Sequence, residues 1–266
     1  MARSNFNSPV DWARFVWSSR TEPASWRRLN WADEIAFVCG CGHSGTTLMI
    51  RLLEAHPLVY APLAETGIFL RRPLPWQKFA DLRKDFIQSG KRVLAEKTPK
   101  HLNHIGAIRE AIPKAKFVLM VRDGRDVVAS LGHRYGGQYA MGLQRWIEET
   151  GIVANEIEVA GTLLQRYEDL ITNPEGELQK ICAFIGIPYQ PEMLNYHSKP
   201  VAWYGADGTT KGDGRVGAGH LALRAWQVNQ PIYDGRGRWQ TDLPGDIVSL
   251  FGQGRAAELQ RLFNYE

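Results

Sequence analysis

The 266-residue sequence has few cysteines, no long apolar run and little net charge, and each absence excludes a class of protein. Cys39, Cys41 and Cys182 do not form a disulfide framework, which indicates a reducing compartment, and no zinc-like spacing is present. No stretch approaches about 18 apolar residues and the N-terminus lacks an apolar signal core, so we expect no membrane span and a cytoplasmic location. The formal charge of +4 suits an anionic ligand but predicts no nucleic-acid partner, which usually needs clustered Lys and Arg.

A glycine-rich turn at 40–47 lies between an apolar run and residues at helical spacing. Its sequence, Gly-Cys-Gly-His-Ser-Gly-Thr-Thr, predicts the end of a strand, a tight loop and the start of a helix. The amides of such a loop and of the helix N-terminus converge on one point, which favours a phosphate or sulfate-like anion. The spacing from Gly40 to Gly45 fits the first half of the P-loop pattern, but Thr46 replaces its lysine. The loop therefore lacks the cation that a nucleoside triphosphatase needs.

Short apolar segments alternate with helical patterns along most of the chain, which predicts an α/β fold with a central parallel sheet. The clearest strand is Lys116–Val121, because it is apolar and bounded by polar residues. Four loops follow predicted strands: 40–47, 96–99, 122–126 and 167–170. Since the carboxyl ends of parallel strands share one edge of the sheet, we expect the functional site at that edge.

Three other predicted elements bear on the site. They are a helix over about His101–Ile112, a strand over Leu163–Tyr167 and a long helix over about Ala140–Val159, with Glu148 and Glu149 exposed on that long helix.

Two cationic segments add to the anion loop. Arg122 follows a strand and Ser130 lies eight positions later on the next helix, so a planar guanidinium and a hydroxyl can hold a second phosphate. Lys97 lies in the segment Glu96-Lys97-Thr98-Pro99, after another strand. The chain therefore offers two phosphate sites, as a ligand with phosphates at both ends would need.

With this ordered set of motifs, the sequence resembles the sulfotransferases that use 3′-phosphoadenosine-5′-phosphosulfate (PAPS). The segments that carry the resemblance are 43–48, 56–57, 96–99, 121–126, 167–170 and 237–239. The first segments are most similar to the tyrosylprotein sulfotransferase type, whose Glu-Thr pair is matched by Glu65-Thr66, and bacterial carbohydrate sulfotransferases share much of the pattern. The resemblance implies a three-layer α/β fold with a P-loop-like phosphosulfate-binding loop.

The resemblance also implies how the co-substrate PAPS would be bound. The loop residues that would wrap its 5′-phosphosulfate are Gly42, His43, Ser44, Gly45, Thr46 and Thr47. Arg122 and Ser130 would bind the 3′-phosphate, Tyr167 would lie near the nucleotide, and Arg238 belongs to a segment that would close over it. His43 departs from the Arg or Lys that relatives generally carry, so a protonated His43, or Lys97 alone, would neutralise the 5′ end.

The implied activity is transfer of the sulfuryl group to an acceptor hydroxyl by in-line displacement. Lys97 matches the lysine that contacts the bridging oxygen and the sulfate, and Glu65 matches the glutamate base, with His101 as the second candidate for the base. His43 and the loop amides would help Lys97 to stabilise charge on the leaving oxygen. Because protein cations neutralise that charge, we expect no metal. The acceptor hydroxyl would belong to a carbohydrate, a small molecule or a tyrosine peptide.

Two other functions stay open at this point. The first is a P-loop-type kinase, which the missing lysine and the absence of a clear acidic magnesium partner disfavour. The second is a non-catalytic nucleotide or glycan binder on a degenerate sulfotransferase fold. Binding of the product nucleotide (PAP), as opposed to ATP with magnesium, would separate the kinase from the other two.

The expected organisation is a single sulfotransferase domain over residues 1–266. Its parts are an N-terminal arm (1–34), a nucleotide-binding core (35–198), a Gly/Arg-rich loop that covers substrate and cofactor (199–240) and a C-terminal helix (241–266).

Overall fold

A computed structural model of the protein describes residues 34–71, 74–203, 211 and 218–265. Most of the predicted N-terminal arm and part of the predicted Gly/Arg-rich loop therefore lie outside the described residues. Five parallel strands form the sheet, in the order β2-β3-β1-β4-β5. The strands are β1 (Glu34–Gly40), β2 (Val59–Tyr60), β3 (Val93–Lys97), β4 (Lys116–Val121) and β5 (Thr162–Arg166).

The α-helices of the described residues lie on both faces of this sheet. They are α1 (Thr46–Glu54), α2 (Trp76–Gln88), α3 (Ile105–Ala111), α4 (Gly124–Arg134), α5 (Tyr139–Glu156), α6 (Tyr167–Thr172), α7 (Pro174–Ile185), α8 (Ala218–Gln227), α9 (Trp239–Asp242), α10 (Gly245–Leu250) and α11 (Gly254–Leu262). Short 3₁₀ helices span Ile68–Leu70, Pro99–His104 and Pro191–Ser198.

Alternate residues of the central strands pack into two separate apolar clusters. In β1, Phe37 belongs to a cluster that includes residues of α4 and α5, among them the fully buried Trp146. Its neighbour Val38 belongs to a cluster with residues of α1 and α7. Strands buried on both faces are largely apolar, and β1 and β4 contain no charged residue after their first, Glu34 and Lys116. The predicted three-layer α/β fold is therefore confirmed.

Several predicted element boundaries were wrong, each for a local reason. Glu96 and Lys97 belong to β3, because their backbone continues the parallel ladder with β1. The helix predicted over 101–112 divides into the 3₁₀ helix and α3, because the backbone at His104 leaves the helical region with φ −128°. Tyr167 begins helix α6 instead of ending β5.

The C-terminal quarter contains more helix than the sequence predicted. The segment 199–240 was predicted without regular structure, yet α8 lies within it and α9 begins there. The segment 241–266 was predicted as one helix, but the described part contains the last residues of α9, then α10 and α11. Pro244 separates α9 from α10, since proline disfavours helix at the residue before it.

Candidate active site

The anion loop 40–47 follows β1 and opens helix α1. Gly45, the residue before α1, has φ +90°, and a Cβ on it would lie 2.7 Å from Cδ2 of Tyr167. Glycine is therefore required there both by the backbone and by the close approach of the ring. Thr46 begins α1 and is buried, whereas Thr47 is partly exposed. Because the first amides of a helix have no intrahelical partner, this end of α1 suits an anion.

Lys97 and Glu65 form an ion pair at the carboxyl end of β3. Lys97 is 4% exposed, and its Nζ donates a hydrogen bond to Glu65 Oε1 at 2.7 Å. The same ammonium lies over the ring of Trp203, 5.1 Å from its centroid. A buried ammonium beside a carboxylate places a cation and a proton acceptor at one point of the sheet edge.

The buried carboxylate of Glu96 fixes the loop that carries Glu65. Glu96 Oε1 accepts hydrogen bonds from the amide and hydroxyl of Thr66, at 3.1 and 2.7 Å, and from the hydroxyl of Thr98 at 2.6 Å. Burial acts to raise the pKa of Glu96, but the charge of His101 and these hydrogen bonds outweigh burial and lower it. Because Thr66 is tied to β3, Glu65 is held against Lys97.

Arg122, after β4, lies between an aromatic ring and a carboxylate. Its guanidinium lies over the Tyr167 ring, 4.4 Å from the centroid, and its Nη2 is 3.4 Å from Asp126 Oδ2. Burial raises the pKa of the Tyr167 phenol, against the lowering effect of the Arg122 charge. The guanidinium also donates hydrogen bonds to the carbonyls of His43 and Gly235, so Arg122 connects the anion loop to the C-terminal segment.

Asp126 holds that C-terminal segment in place. Its two carboxylate oxygens accept hydrogen bonds from the amides of Gly237 and Trp239, at 3.0 and 3.1 Å. The ring of Trp239 in turn lies beneath the guanidinium of Arg125, 4.4 Å away. The segment 235–239 is therefore docked on the start of α4, next to Arg122.

His43 contacts the helix that carries Ser130. Nδ1 of His43 is 2.7 Å from Ser130 Oγ, and the backbone of His43 has φ +74°. A left-handed conformation is uncommon for a residue other than glycine and is maintained by surrounding contacts. The residue that departs from the resemblance thus connects the anion loop to the predicted 3′-phosphate site.

One cavity of about 890 Å³ is lined by His43, Glu65, Lys97, Arg122 and Tyr167. The cationic residues on its wall are Arg51, Lys97, Lys100, Arg122, Arg134, Arg145 and Arg238, against the carboxylates Glu65, Asp126 and Asp242. Cations exceed carboxylates, so the cavity attracts an anionic ligand. In the described residues no group of three or more His, Cys, Asp and Glu side chains is arranged to hold a metal ion. The helices within those ranges are too short or too polar to cross a bilayer.

The chain is similar to known sulfotransferases in sequence. The family model described as Sulfotransferase family matches residues 71–191. Protein-tyrosine sulfotransferase A of Caenorhabditis elegans is 24% identical over 258 residues, covering 83% of this chain and 64% of that protein. Protein-tyrosine sulfotransferase of Drosophila melanogaster is 26% identical over 252 residues, covering 80% and 48%. The chain is therefore similar to sulfotransferases, through the family match over residues 71–191 and through these longer relatives. It spans less than two thirds of the length of these two relatives.

Solved sulfotransferase structures share the fold. The sulfotransferase domain of the Synechococcus PCC 7002 olefin synthase superposes with a TM-score of 0.62 at 20% identity, covering 87% of this chain and 94% of that one. Mouse sulfotransferase SULT7A1 complexed with PAP gives a TM-score of 0.58 at 16% identity, covering 86% and 85%. At this identity the likeness concerns the fold alone.

The predicted site residues of this chain converge on the cavity with one clear exception. Those on its wall are Gly42, His43, Gly45, Thr46, Thr47, Glu65, Lys97, Arg122, Ser130, Tyr167 and Arg238. Ser44 is not on that wall; it is buried, and its Oγ has no hydrogen-bond partner among the described residues. Arg238 is largely exposed and pairs with Asp242 at 3.2 Å. Convergence places these residues together, while their individual roles stay predictions.

The structure removes His101 as the second candidate for the base. Its side chain is fully buried, Nδ1 is 2.8 Å from Glu96 Oε2, and Nε2 accepts a hydrogen bond from the Phe69 amide at 3.2 Å. The predicted exposure of Glu149 on α5 was also wrong, because its carboxylate is buried and accepts a hydrogen bond from the Gly42 amide at 3.2 Å. Both residues support the site from outside the cavity.

Sequence reasoning missed Arg51, on the helix that follows the anion loop. Its side chain is 1% exposed and donates to the carbonyls of Tyr196, Lys199 and Val228, each at 3.1 Å, while Nη1 pairs with Glu54. Burial lowers the pKa of Arg51, against the raising effect of Glu54. The one signal in the sequence was an arginine among apolar residues on the buried face of a helix.

The residues present fit a nucleotide with phosphates at both ends. A Cβ on Gly235 would lie 3.2 Å from the Tyr167 hydroxyl and 3.5 Å from Arg122 Nη2, so a side chain there would crowd the predicted 3′-phosphate residues. At the other end, the amides of the anion loop and Lys97 suit a second anion. Glycine and cationic side chains thus leave space and charge for the ligand at both ends.

Proposed function

We propose that this chain is a sulfotransferase that transfers the sulfuryl group of PAPS to the hydroxyl of a tyrosine in a protein or peptide. The observation that carries the proposal is the ion pair of Lys97 and Glu65 in the same cavity as the anion loop and Arg122. The names of the relatives in worm and fly support tyrosine as the acceptor. Carbohydrate and small-molecule hydroxyls remain the other candidates for the acceptor.

In this reaction PAPS supplies an activated sulfuryl group on its 5′-phosphate. The acceptor oxygen forms a bond to sulfur in line with the sulfur–oxygen bond that breaks, and the electron pair of that bond stays on the phosphate oxygen of PAP. Glu65 takes the proton of the acceptor hydroxyl, a role that its reach from the cavity wall permits. Lys97 donates to the oxygen that gains charge, and the loop amides hold the 5′ end. Arg122 and Ser130 hold the 3′-phosphate.

The 2.7 Å contact between Lys97 and Glu65 has a mechanistic consequence. The Lys97 ammonium has three N–H donors, so it can hold Glu65 with one of them and donate to the leaving oxygen with another, while the second oxygen of Glu65 accepts the acceptor's proton. The two roles are therefore coupled, and loss of either side chain disturbs the other. Localisation in the cytoplasm stays a prediction from the sequence.

Thermal stability with nucleotides tests the donor. A ligand that binds the native state raises the melting temperature, so PAP is expected to raise it and ATP with magnesium is not. The acceptor is then tested with labelled PAPS against a tyrosine peptide, the same peptide with phenylalanine, a phenol and a saccharide. Stabilisation by ATP alone would contradict the proposal and favour a kinase. Label on the phenylalanine peptide or on the saccharide alone would contradict tyrosine as the acceptor.

A further inference from the structure

Arg145, on helix α5, lies against the anion loop although it is distant from that loop in the sequence. Its Nε donates to Glu149 Oε1 at 3.0 Å and its Nη1 donates to the Tyr135 hydroxyl at 3.0 Å. The guanidinium is thus fixed on two sides, with its side chain 20% exposed on the cavity wall. Burial acts to lower the pKa of Arg145, but the charge and hydrogen bonds of Glu149 and Tyr135 raise it overall.

Nη2, the third nitrogen of this guanidinium, lies beside Gly42. An ideal Cβ on Gly42 would be 2.7 Å from Nη2 and 3.3 Å from Cζ, so any side chain at position 42 would displace Arg145. Glycine at this position therefore makes room for the guanidinium. The loop itself, residues 40–47, contains no lysine or arginine.

Glu149 connects the arginine and the loop. Its Oε1 accepts from Arg145 while its Oε2 accepts from the Gly42 amide at 3.2 Å. One carboxylate, 8% exposed, thus fixes both the cation and the start of the loop. A preorganised cation of this kind binds an anion without the cost of ordering a free side chain.

We propose that Arg145 binds the 5′ anionic end of the nucleotide and supplies the cation that the loop lacks. This inference rests on the proposed function, because it assigns the 5′ end to the loop 42–47. Glu149 and Tyr135 are positioning residues, since they act on the ligand through the guanidinium. Arg122, which donates to the His43 carbonyl, serves the 3′ end.

Calorimetric affinities for two nucleotides separate the ends of the ligand. PAP has phosphates at both ends, whereas adenosine 3′-phosphate lacks the 5′ anion and is measured by displacement of PAP. The double variant Arg145→Gln/Glu149→Gln removes the cation without leaving a buried carboxylate unpaired. We expect it to bind PAP roughly 10-fold or more weakly, the effect of a lost charge-assisted hydrogen bond, with an unchanged affinity for adenosine 3′-phosphate.

Two further variants control for folding and for generic loss of an arginine. Arg109 pairs with Glu156, which lies on helix α5 like Arg145, and Arg109 is not on the cavity wall. The double variant Arg109→Gln/Glu156→Gln is therefore expected to leave the affinities for PAP and for adenosine 3′-phosphate unchanged. Tyr135→Phe removes one hydrogen bond from the Arg145 guanidinium, and we expect a smaller loss of PAP affinity. The melting temperature of each variant shows whether it is folded.

The possible results are distinct. Equal weakening of both nucleotides by the Arg145 double variant, or no weakening of either, would overturn the inference and leave the proposed function intact. The inference would also be overturned if folded Tyr135→Phe and the Arg145 double variant both bound PAP with the affinity of the wild type. Wild-type protein that binds PAP no better than adenosine 3′-phosphate would contradict the assignment of the loop itself, and with it the proposed function.

Discussion

Gly45→Ala tests whether the Tyr167 ring leaves no room for a side chain at position 45, the left-handed residue before α1. The substitution places a methyl group where φ is +90° and where Tyr167 Cδ2 would be 2.7 Å away and Met120 Cε 3.4 Å away. The ring cannot retreat freely, because its other contacts include the Arg122 guanidinium at 4.4 Å. The variant therefore disturbs both the backbone and the predicted nucleotide site.

The expected loss of stability has two parts. An alanine held in the left-handed region costs about 1–3 kcal/mol in backbone strain. Overpacking against the ring adds about 1–3 kcal/mol, since a contact this short forces neighbouring groups to shift. We expect the free energy of unfolding, measured by urea denaturation, to fall by roughly the sum, about 2–6 kcal/mol. PAP binding is expected to weaken as well, because the ring and Arg122 move together.

Gly137→Ala is the matched control. Gly137 has φ +93° and nothing within 4 Å of an added Cβ, so it carries the strain without the contact. The effect of alanine on the entropy of the unfolded chain is common to both variants and cancels in the comparison. Equal losses of stability in the two variants, with PAP affinity unchanged in both, would refute the argument that Tyr167 fixes the loop.

Three further outcomes follow from the site. Lys97→Met is expected to lower kcat about 10²–10³-fold with a smaller change in PAP affinity, because the ammonium acts on charge that develops during transfer; unchanged kcat would remove it from the mechanism. Arg122→Ala is expected to weaken PAP binding in calorimetry by about 1.5–3 kcal/mol, and equal affinity would exclude the 3′-phosphate assignment. The pKa of Glu96 is lowered in the folded state, so its carboxylate stabilises the fold above the unfolded pKa and this stability is lost as pH falls through the folded value. Urea denaturation of Glu96→Gln between about pH 5 and pH 3 should therefore show a flatter pH dependence than wild type, and an identical slope would contradict the assignment.

The parallel α/β sheet and the edge that carries the site were predictable because local patterns determine them. The apolar run of β4 and the glycine-rich loop after β1 each predicted their element from adjacent residues alone. The convergence of Lys97, Arg122 and the loop then followed from the rule that parallel strands end at one edge. These features need no knowledge of side-chain packing.

Contacts between distant segments could not be predicted in the same way. Glu149 was predicted to be exposed on a long helix, yet its carboxylate accepts a hydrogen bond from the amide of Gly42, 107 positions away. His101 had the chemistry of a base, but its pairing with Glu96 removes it from the cavity. Burial of a polar side chain depends on the partner that meets it in the fold, and a single sequence does not specify that partner.

The buried guanidinium of Arg51 connects helix α1, which follows the anion loop, to two segments that are distant from it in the sequence. The guanidinium donates hydrogen bonds to the carbonyls of Tyr196 and Lys199 in the first segment and of Val228 in the second. Since a longer connection between fixed ends adds little entropic cost, we expect the chain between the buried Trp203 and α8 to accept changes in length while the anion loop keeps its support. Because the sequence predicts that the Gly/Arg-rich segment 199–240 covers the substrate, we expect exchange of this stretch between relatives to change the acceptor preference without a change in the anion loop.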